Sequence, residues 1–226
     1  MIGTLVNAGA IIAGTAIGLA AKRRIPAKAG TIAVKVIGLV TLFIGLQMAV
    51  ETRNPLIVAA SIILGVLIGE TLSIEDRLEN LSRRLENRFD SAGGGITRTF
   101  ITASLLFCVG PMAIMGSIED GLGRMPEILY TKSVMDGVGS ALFASTLGIG
   151  VIFSALPVLV YQGSLTLAAQ AVSGYLSPPV VAELTATGGL IIMAIGLNLT
   201  GATKIRVANL IPALIAAVAI ALALQK

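Results

Sequence analysis

Ser133, Asp136, Gly137 and Ser140 recur at three- and four-residue spacing, which places them on one face of a helix. The chain around them is apolar, and an ionisable group inside an apolar span is costly enough to face a cavity or a partner. Asp136 is therefore either a carboxylate that binds a cation or a proton, or one half of a pair with Lys132. The Lys-before-Asp order is the weaker one on a helix. Further on, Ser154, Pro157, Tyr161, Gln162 and Gly163 stand out, and Gln162, Thr166 and Gln170 continue at spacing four. Pro157 removes one helix hydrogen bond and frees a carbonyl. Freed carbonyls and half-helix ends coordinate ions and polar substrates in transporters. The same side chains also suit helix–helix hydrogen bonds, worth only about 0.6 kcal/mol each. Near the start, Gly3, Asn7, Ala10, Gly14 and Gly18 share a face of small residues that lets helices pack closely, and Asn7 alone among them could reach a polar site.

The elements that position these groups must be membrane helices. Hydrophobic residues make up 55% of the 226 and charged residues 12%, against about 25% charged in soluble domains. Mean hydropathy is +0.93. In hydrocarbon every backbone amide must be satisfied within the chain, and the apolar runs are continuous rather than alternating, so helices are expected and not a barrel. The spans expected are Thr4–Ala21, Ala29–Val50, Leu56–Leu72, Ile96–Ser117, Val180–Thr200 and Val207–Leu224, each near the roughly 20 residues a bilayer requires. Thr131 to Ser173 would be about 65 Å long as one helix, roughly twice the hydrocarbon thickness, so it must break. Gly148-Ile149-Gly150 is the natural place. The result is an all-α, polytopic transmembrane helical bundle of seven to eight membrane segments.

Ser73–Asp90 differs: Ile74, Leu78, Leu81, Leu85 and Phe89 form an apolar stripe, and the other face carries arginines and five acids. It reads as an amphipathic helix on the membrane surface, or one packed on a partner subunit, with Ser73 as its N-terminal cap and Gly93-Gly94-Gly95 as its end. Basic residues gather in Lys22–Lys28 and in this helix, which places both in the cytoplasm and the N-terminus outside. The first apolar run begins at Ile2 with no basic stretch before it, and is read as a span and not a cleaved signal.

Gly38-Leu39-x5-Gly45-Leu46-Gln47 returns 151 residues on as Gly189-Leu190-x5-Gly196-Leu197-Asn198. With eight segments the two halves run in opposite senses, the plan of many secondary transporters; with seven they are parallel. Gln47 and Asn198 occupy equivalent places and would meet near a pseudo-twofold axis. The chain then divides into 1–72, a first three-helix repeat; 73–95, the interfacial helix and glycine linker; 96–150, central helices; and 151–226, the second repeat.

Composition also excludes classes. There is no histidine and a single cysteine, Cys108, which removes His-ligated metals, Cys/His nucleophile pairs and intrachain disulfides. No metal-ligand cluster or spaced acid–base pair suggests an enzyme, and no cofactor is expected. Net charge is +4, but aromatic residues are 4% with no Trp, and the basic residues sit beside apolar runs, so nucleic acid is not the partner.

The strings Gly110-Pro111-Met112-Ala113-Ile114-Met115-Gly116-Ser117, Lys132-Ser133-x2-Asp136-Gly137, Gly148-x-Gly150-Val151-x2-Ser154-Ala155-x-Pro157-Val158-Leu159-x-Tyr161-Gln162-Gly163 and Gly196-Leu197-Asn198, with Asn7, resemble one bacterial membrane-protein family. It is that of domain of unknown function 554, the YqgA/YdfK-like proteins, and the likeness runs end to end. The resemblance implies an integral protein of the bacterial cytoplasmic (inner) membrane, of a kind often labelled as transport proteins, and supplies no substrate. The reading that follows is a transporter or facilitator for a small solute or ion. Its site draws on Asp136, Ser133, Ser140, Ser154, Tyr161, Gln162, Asn7, Gln47 and Asn198, with breaks at Gly148, Gly150 and Pro157. Lipid surrounds it, and a homodimer or larger homo-oligomer is expected because so few helices enclose little. The alternatives are an oligomeric ion channel, or a non-transporting scaffold that holds a cytosolic partner.

Overall fold

The computed structural model describes residues 1–22, 27–77, 80, 96–108, 111–172 and 175–224. Among these there is no strand. The helices are α1 (Ile2–Lys22), α2 (Ala27–Ala49), α3 (Pro55–Leu72), α4 (Ile96–Cys108), α5 (Pro111–Gly121), α6 (Glu127–Leu147), α7 (Ala155–Leu167), α8 (Pro178–Thr200) and α9 (Pro212–Leu224), with a single helical turn at Ala169–Val172 and 3₁₀ turns at Ile149–Ser154 and Val207–Leu210. Among the described residues, six helices or helix-plus-turn segments are long and apolar enough to cross a membrane; α4 and α5, bent by 60° to each other, pass the same test together, as a broken span or a re-entrant loop. The 21 residues of α6 also match a bilayer in length, but Glu127, Lys132 and Asp136 keep it less apolar than the others.

Long apolar stretches end where residue types demand it. The Asn54 side chain caps α3 by accepting from Leu56 N at 3.1 Å, and Pro55 follows in the first turn, where its missing N–H costs little. Ser73 ends α3: its backbone is left-handed (φ 48°) and its N–H bonds to Glu70 O. Ser73 also opens the next helical segment, as expected, because its carbonyl accepts from Arg77 N at 3.1 Å, but its side chain does not cap that segment: Ser73 Oγ turns back to Glu70 O at 3.4 Å. Of the expected amphipathic helix only the turn Ile74–Arg77 and Asn80 fall among the described residues; the remainder, with the triple glycine and residues 23–26 of the basic loop, lies outside them. The long stretch breaks as expected. Gly148 stands at φ 96°, a conformation few residues other than glycine adopt, and the 3₁₀ turn follows it. Pro157 falls in the first turn of α7, so Gly148–Ser154 makes the break.

Packing groups the chain into two compact units: residues 1–34 with 90–174, and residues 35–89 with 175–226. In the first, α1 runs parallel to α6 along its length. A methyl group added at Gly14 would overlap the Gly137 carbonyl oxygen, and one at Gly18 would overlap that of Ala141. The small-residue face of α1 therefore serves close packing. Phe107 of α4 meets Phe143 of α6 edge-on, with ring centroids 6.4 Å apart. α7 lies antiparallel to α1, as Thr4 facing Thr166 and Asn7 facing Gln162 require.

In the second unit α2 and α8 cross antiparallel on glycines. A Cβ at Gly38 would stand 3.0 Å from Gly196 O, and one at Gly45 2.7 Å from Gly189 O. α3 and α9 are likewise antiparallel, with Gly65 against Ala213, and Ile57, Val180 and Ala221 form a small core. Polar clamps tie the loops. Glu183, 2% exposed, accepts from Thr52 Oγ1 (2.6 Å), Arg53 N (2.7 Å) and Asn54 N (2.9 Å), so a carboxylate sits at the start of α3 where the helix dipole favours it. Asn209 accepts from Glu75 N at 2.8 Å and donates to Glu70 Oε1 at 2.9 Å.

Candidate functional site

A polar cluster lies inside the first unit, built by α1, α6 and α7. Asp136 stands near the middle of α6. Its carboxylate accepts from Lys132 Nζ, at 2.9 Å to Oδ1 and 2.8 Å to Oδ2, and from Asn7 Nδ2 at 3.0 Å. The alternative pairing raised by the sequence is thus realised: Lys132 is the counter-charge of Asp136. The same Asn7 amide also donates to Gln162 Oε1 at 3.3 Å. All four side chains are buried, Asn7 and Gln162 completely. The Asn7 amide can take only this orientation, because turned round its oxygen would face the carboxylate.

Two atoms of this cluster have no hydrogen-bond partner: Asn7 Oδ1, an acceptor, and Gln162 Nε2, a donor. A buried polar group left unpaired costs about 1–3 kcal/mol, so unpaired atoms on two linked side chains mark a place where a polar guest would be favoured. One turn away, Thr4 Oγ1 and Thr166 Oγ1 stand 3.5 Å apart, and Asp120 at the end of α5 accepts from Gly3 N at 3.1 Å. Polar groups thus continue from Asn7 toward the start of α1. Beside the cluster, α1 and α6 frame an open groove of about 780 Å³ lined by Val6, Ala10, Ile17, Val134 and Leu142 among others. Its walls are almost wholly apolar and suit lipid, not a polar solute.

The other residues singled out in the sequence fall into distinct settings. Ser133, Ser140 and Ser154 are buried, but each hydroxyl donates to a carbonyl of its own chain segment: Leu129 O at 2.6 Å, Gly137 O at 2.9 Å and Val151 O at 2.6 Å. They keep acceptor capacity only. Tyr161 is half-buried beside Gln162, whereas Gln170 is exposed, so the stripe of α7 ends at Thr166. Gln47 and Asn198 belong to the second unit and do not meet. The antiparallel glycine crossing sets Gln47 beside the Gly189 end of α8, nine residues from Asn198, so about 13 Å along the axis separates them. Gln47 is exposed, and Asn198 closes its own loop by accepting from Thr203 Oγ1 at 2.8 Å and Ile205 N at 2.9 Å. Glu183 was not among the expected residues, although a lone carboxylate near the end of an apolar span is a visible signal. Among the described residues no group of three or more His, Cys, Asp or Glu side chains is placed to hold a metal ion.

The family described as "Protein of unknown function (DUF554)" matches residues 2–222. The chain belongs to this family. Two relatives match nearly the whole chain. The chain is 31% identical over 219 residues to the "Uncharacterized membrane protein YdfK" of Bacillus subtilis (strain 168), covering 95% of this chain and 93% of that protein. It is 30% identical over 222 residues to the "Uncharacterized protein YqgA" of Escherichia coli (strain K12), covering 96% and 94%. No solved structure matches the chain. The DUF554 match takes in every helix of the cluster, so the site belongs to the part of the chain that the family shares.

Proposed function

We propose that the protein transports, or facilitates passage of, a small solute or ion across the bacterial cytoplasmic membrane, using the cluster of Asn7, Asp136, Lys132 and Gln162. The observation that carries this reading is the unpaired acceptor of Asn7 and the unpaired donor of Gln162, both fully buried and both joined to Asp136 through one amide. Packing alone would be served better by apolar side chains at these places, since interhelical hydrogen bonds in membranes contribute only about 0.6 kcal/mol on average. Ionisable groups kept within a membrane bundle are a mark of solute and ion paths. The broken backbone at Gly148–Ser154 supports the same reading, because discontinuous helices build such sites in carriers.

The Lys132–Asp136 pair is neutral as a whole. A neutral polar solute could bind at Asn7 and Gln162 without disturbing it, whereas a cation would have to compete with Lys132 for the carboxylate. We further propose that the protein works as a homodimer or larger homo-oligomer. The test is flux into proteoliposomes of purified protein, with protons, Na⁺ and urea as probes. Flux of one probe should fall strongly in Asp136→Asn and Gln162→Leu; unchanged flux in both would remove the cluster from the path.

A further inference from the structure

The offset of 151 residues governs the structure as well as the sequence. α2 (Ala27–Ala49) and α8 (Pro178–Thr200) are both 23 residues long and begin and end at that offset. The atoms at their crossing repeat too. A Cβ at Gly38 would meet Gly196 O and Thr200 N, and a Cβ at Gly189 meets their counterparts, Gly45 O and Ala49 N. A Cβ at Gly45 would meet Met193 N and Gly189 O, and at Gly196 it meets Leu42 N and Gly38 O. Each contact is the other with 151 added or removed, and the helices are antiparallel. This is a local twofold axis between inverted copies.

The first unit, taken by itself, holds another crossing of the same kind. Adding 151 to α1 gives 153–173, a range that contains α7 (Ala155–Leu167) and the short helix Ala169–Val172, and α7 lies antiparallel to α1. Asn7 faces Gln162, and Thr4 faces Thr166. The same register sets Ile11 opposite Val158 and Thr15 opposite Ala155. At the offset, Ile11 is the counterpart of Gln162 and Val158 that of Asn7. Both Ile11 and Val158 are fully buried. Thr15 Oγ1 is spent on Ile11 O at 2.7 Å, so it offers no donor to a solute.

We infer that the chain is an inverted duplication in which the α1/α7 crossing is polar on one side of its axis and apolar on the other: Asn7 and Gln162 form the site, reached from the end where α1 begins, and Ile11 and Val158 close it toward the opposite end. This rests on the transport reading. It deepens that reading by assigning the site's open and closed sides.

The test uses the full-length protein with Cys108→Ser and one new cysteine at a time: Asn7→Cys, Gln162→Cys, Ile11→Cys or Val158→Cys. Right-side-out and inside-out vesicles are treated with a charged, membrane-impermeant methanethiosulfonate. Asn7→Cys and Gln162→Cys should react from one side only, at least about tenfold faster than the other two, as a barrier difference of one decade implies. Thr4→Cys against Thr15→Cys repeats the comparison should the Asn7 and Gln162 variants fail to fold. Equal rates at both pairs overturn the closure; if flux still depends on Asp136, the transport reading survives without it. Rapid reaction at all positions from both sides also overturns it, and describes an open channel. Absence of reaction at every position in folded protein overturns both the closure and the site.

Discussion

Replacing Asp136 by Asn removes a charge and keeps the shape, so its effect measures what the Lys132 pair contributes. Lys132 Nζ lies 2.8 and 2.9 Å from the two carboxylate oxygens, and both side chains are about nine-tenths buried. Removing one partner of a buried pair costs roughly 3–5 kcal/mol, because the remaining charge is stranded. The Asn carbonyl still accepts one hydrogen bond from Lys132, which restores about 1 kcal/mol. The net loss is then about 2–4 kcal/mol. For a chain of this length each kcal/mol lowers the unfolding midpoint by roughly 2–4 °C, so a fall of about 5–15 °C is expected. In the double variant Lys132→Met/Asp136→Leu both charges are gone, and apolar replacements of buried pairs are often neutral or stabilising. Its midpoint should lie within about 4 °C of the parent, that is within about 1 kcal/mol. Cys108, the one thiol of the chain, sits partly buried on α4 and reports unfolding through a thiol-reactive fluorophore in detergent. A fall under about 2 °C for Asp136→Asn, or an equal fall for the double variant, would show that water screens the pair and refute the reasoning.

Gly38→Ala and Gly189→Ala should lower stability by equal amounts, since each methyl meets counterpart atoms; midpoints measured by size-exclusion after heating should agree within about 2 °C, less than 1 kcal/mol at this length. Gly14→Ala forces α1 off Gly137 and Ser140 and should cost about 1–3 kcal/mol as overpacking, whereas Gly9→Ala meets nothing within 4 Å and should be neutral or stabilise by up to about 1 kcal/mol. Glu183→Ala strands three donors in a buried place, and hydrogen bonds to charged groups contribute about 1.5–3 kcal/mol each, so folded yield should collapse while Glu183→Gln retains part of it.

Much of this was legible in the sequence because membrane helices obey strong, local rules. Hydropathy located the spans, Gly148 located the break, and a carboxylate four residues after a lysine in an apolar run offered the Lys132–Asp136 pair as one of two readings of Asp136. What stayed hidden was relational. Asn7 sits in a row of small residues that reads as packing, and only the placement of α1 against both α6 and α7 shows that its amide joins two helices. The serines misled in the other direction. Their residue type promises donors, but a helix offers each hydroxyl a carbonyl three or four residues back, and that bond is made before any solute competes. Gln47 and Asn198 look equivalent by alignment, yet an antiparallel crossing carries equivalent positions to opposite ends.

The marginal apolarity of α6 has a consequence for synthesis of the chain. At a helix centre, an insertion machinery charges about 2.5–3.5 kcal/mol each for Lys and Asp and credits Leu or Val only about 0.3–0.6. Pairing at spacing four lets α6 enter with its two charges already neutralised, and Ser133, Ser140, Ser145 and Thr146 enter with hydroxyls already bonded to its own carbonyls. The remaining donor to Asp136 comes from Asn7 on α1, which emerges from the ribosome more than a hundred residues earlier. The amide that completes the surroundings of Asp136 is thus made long before the carboxylate it binds.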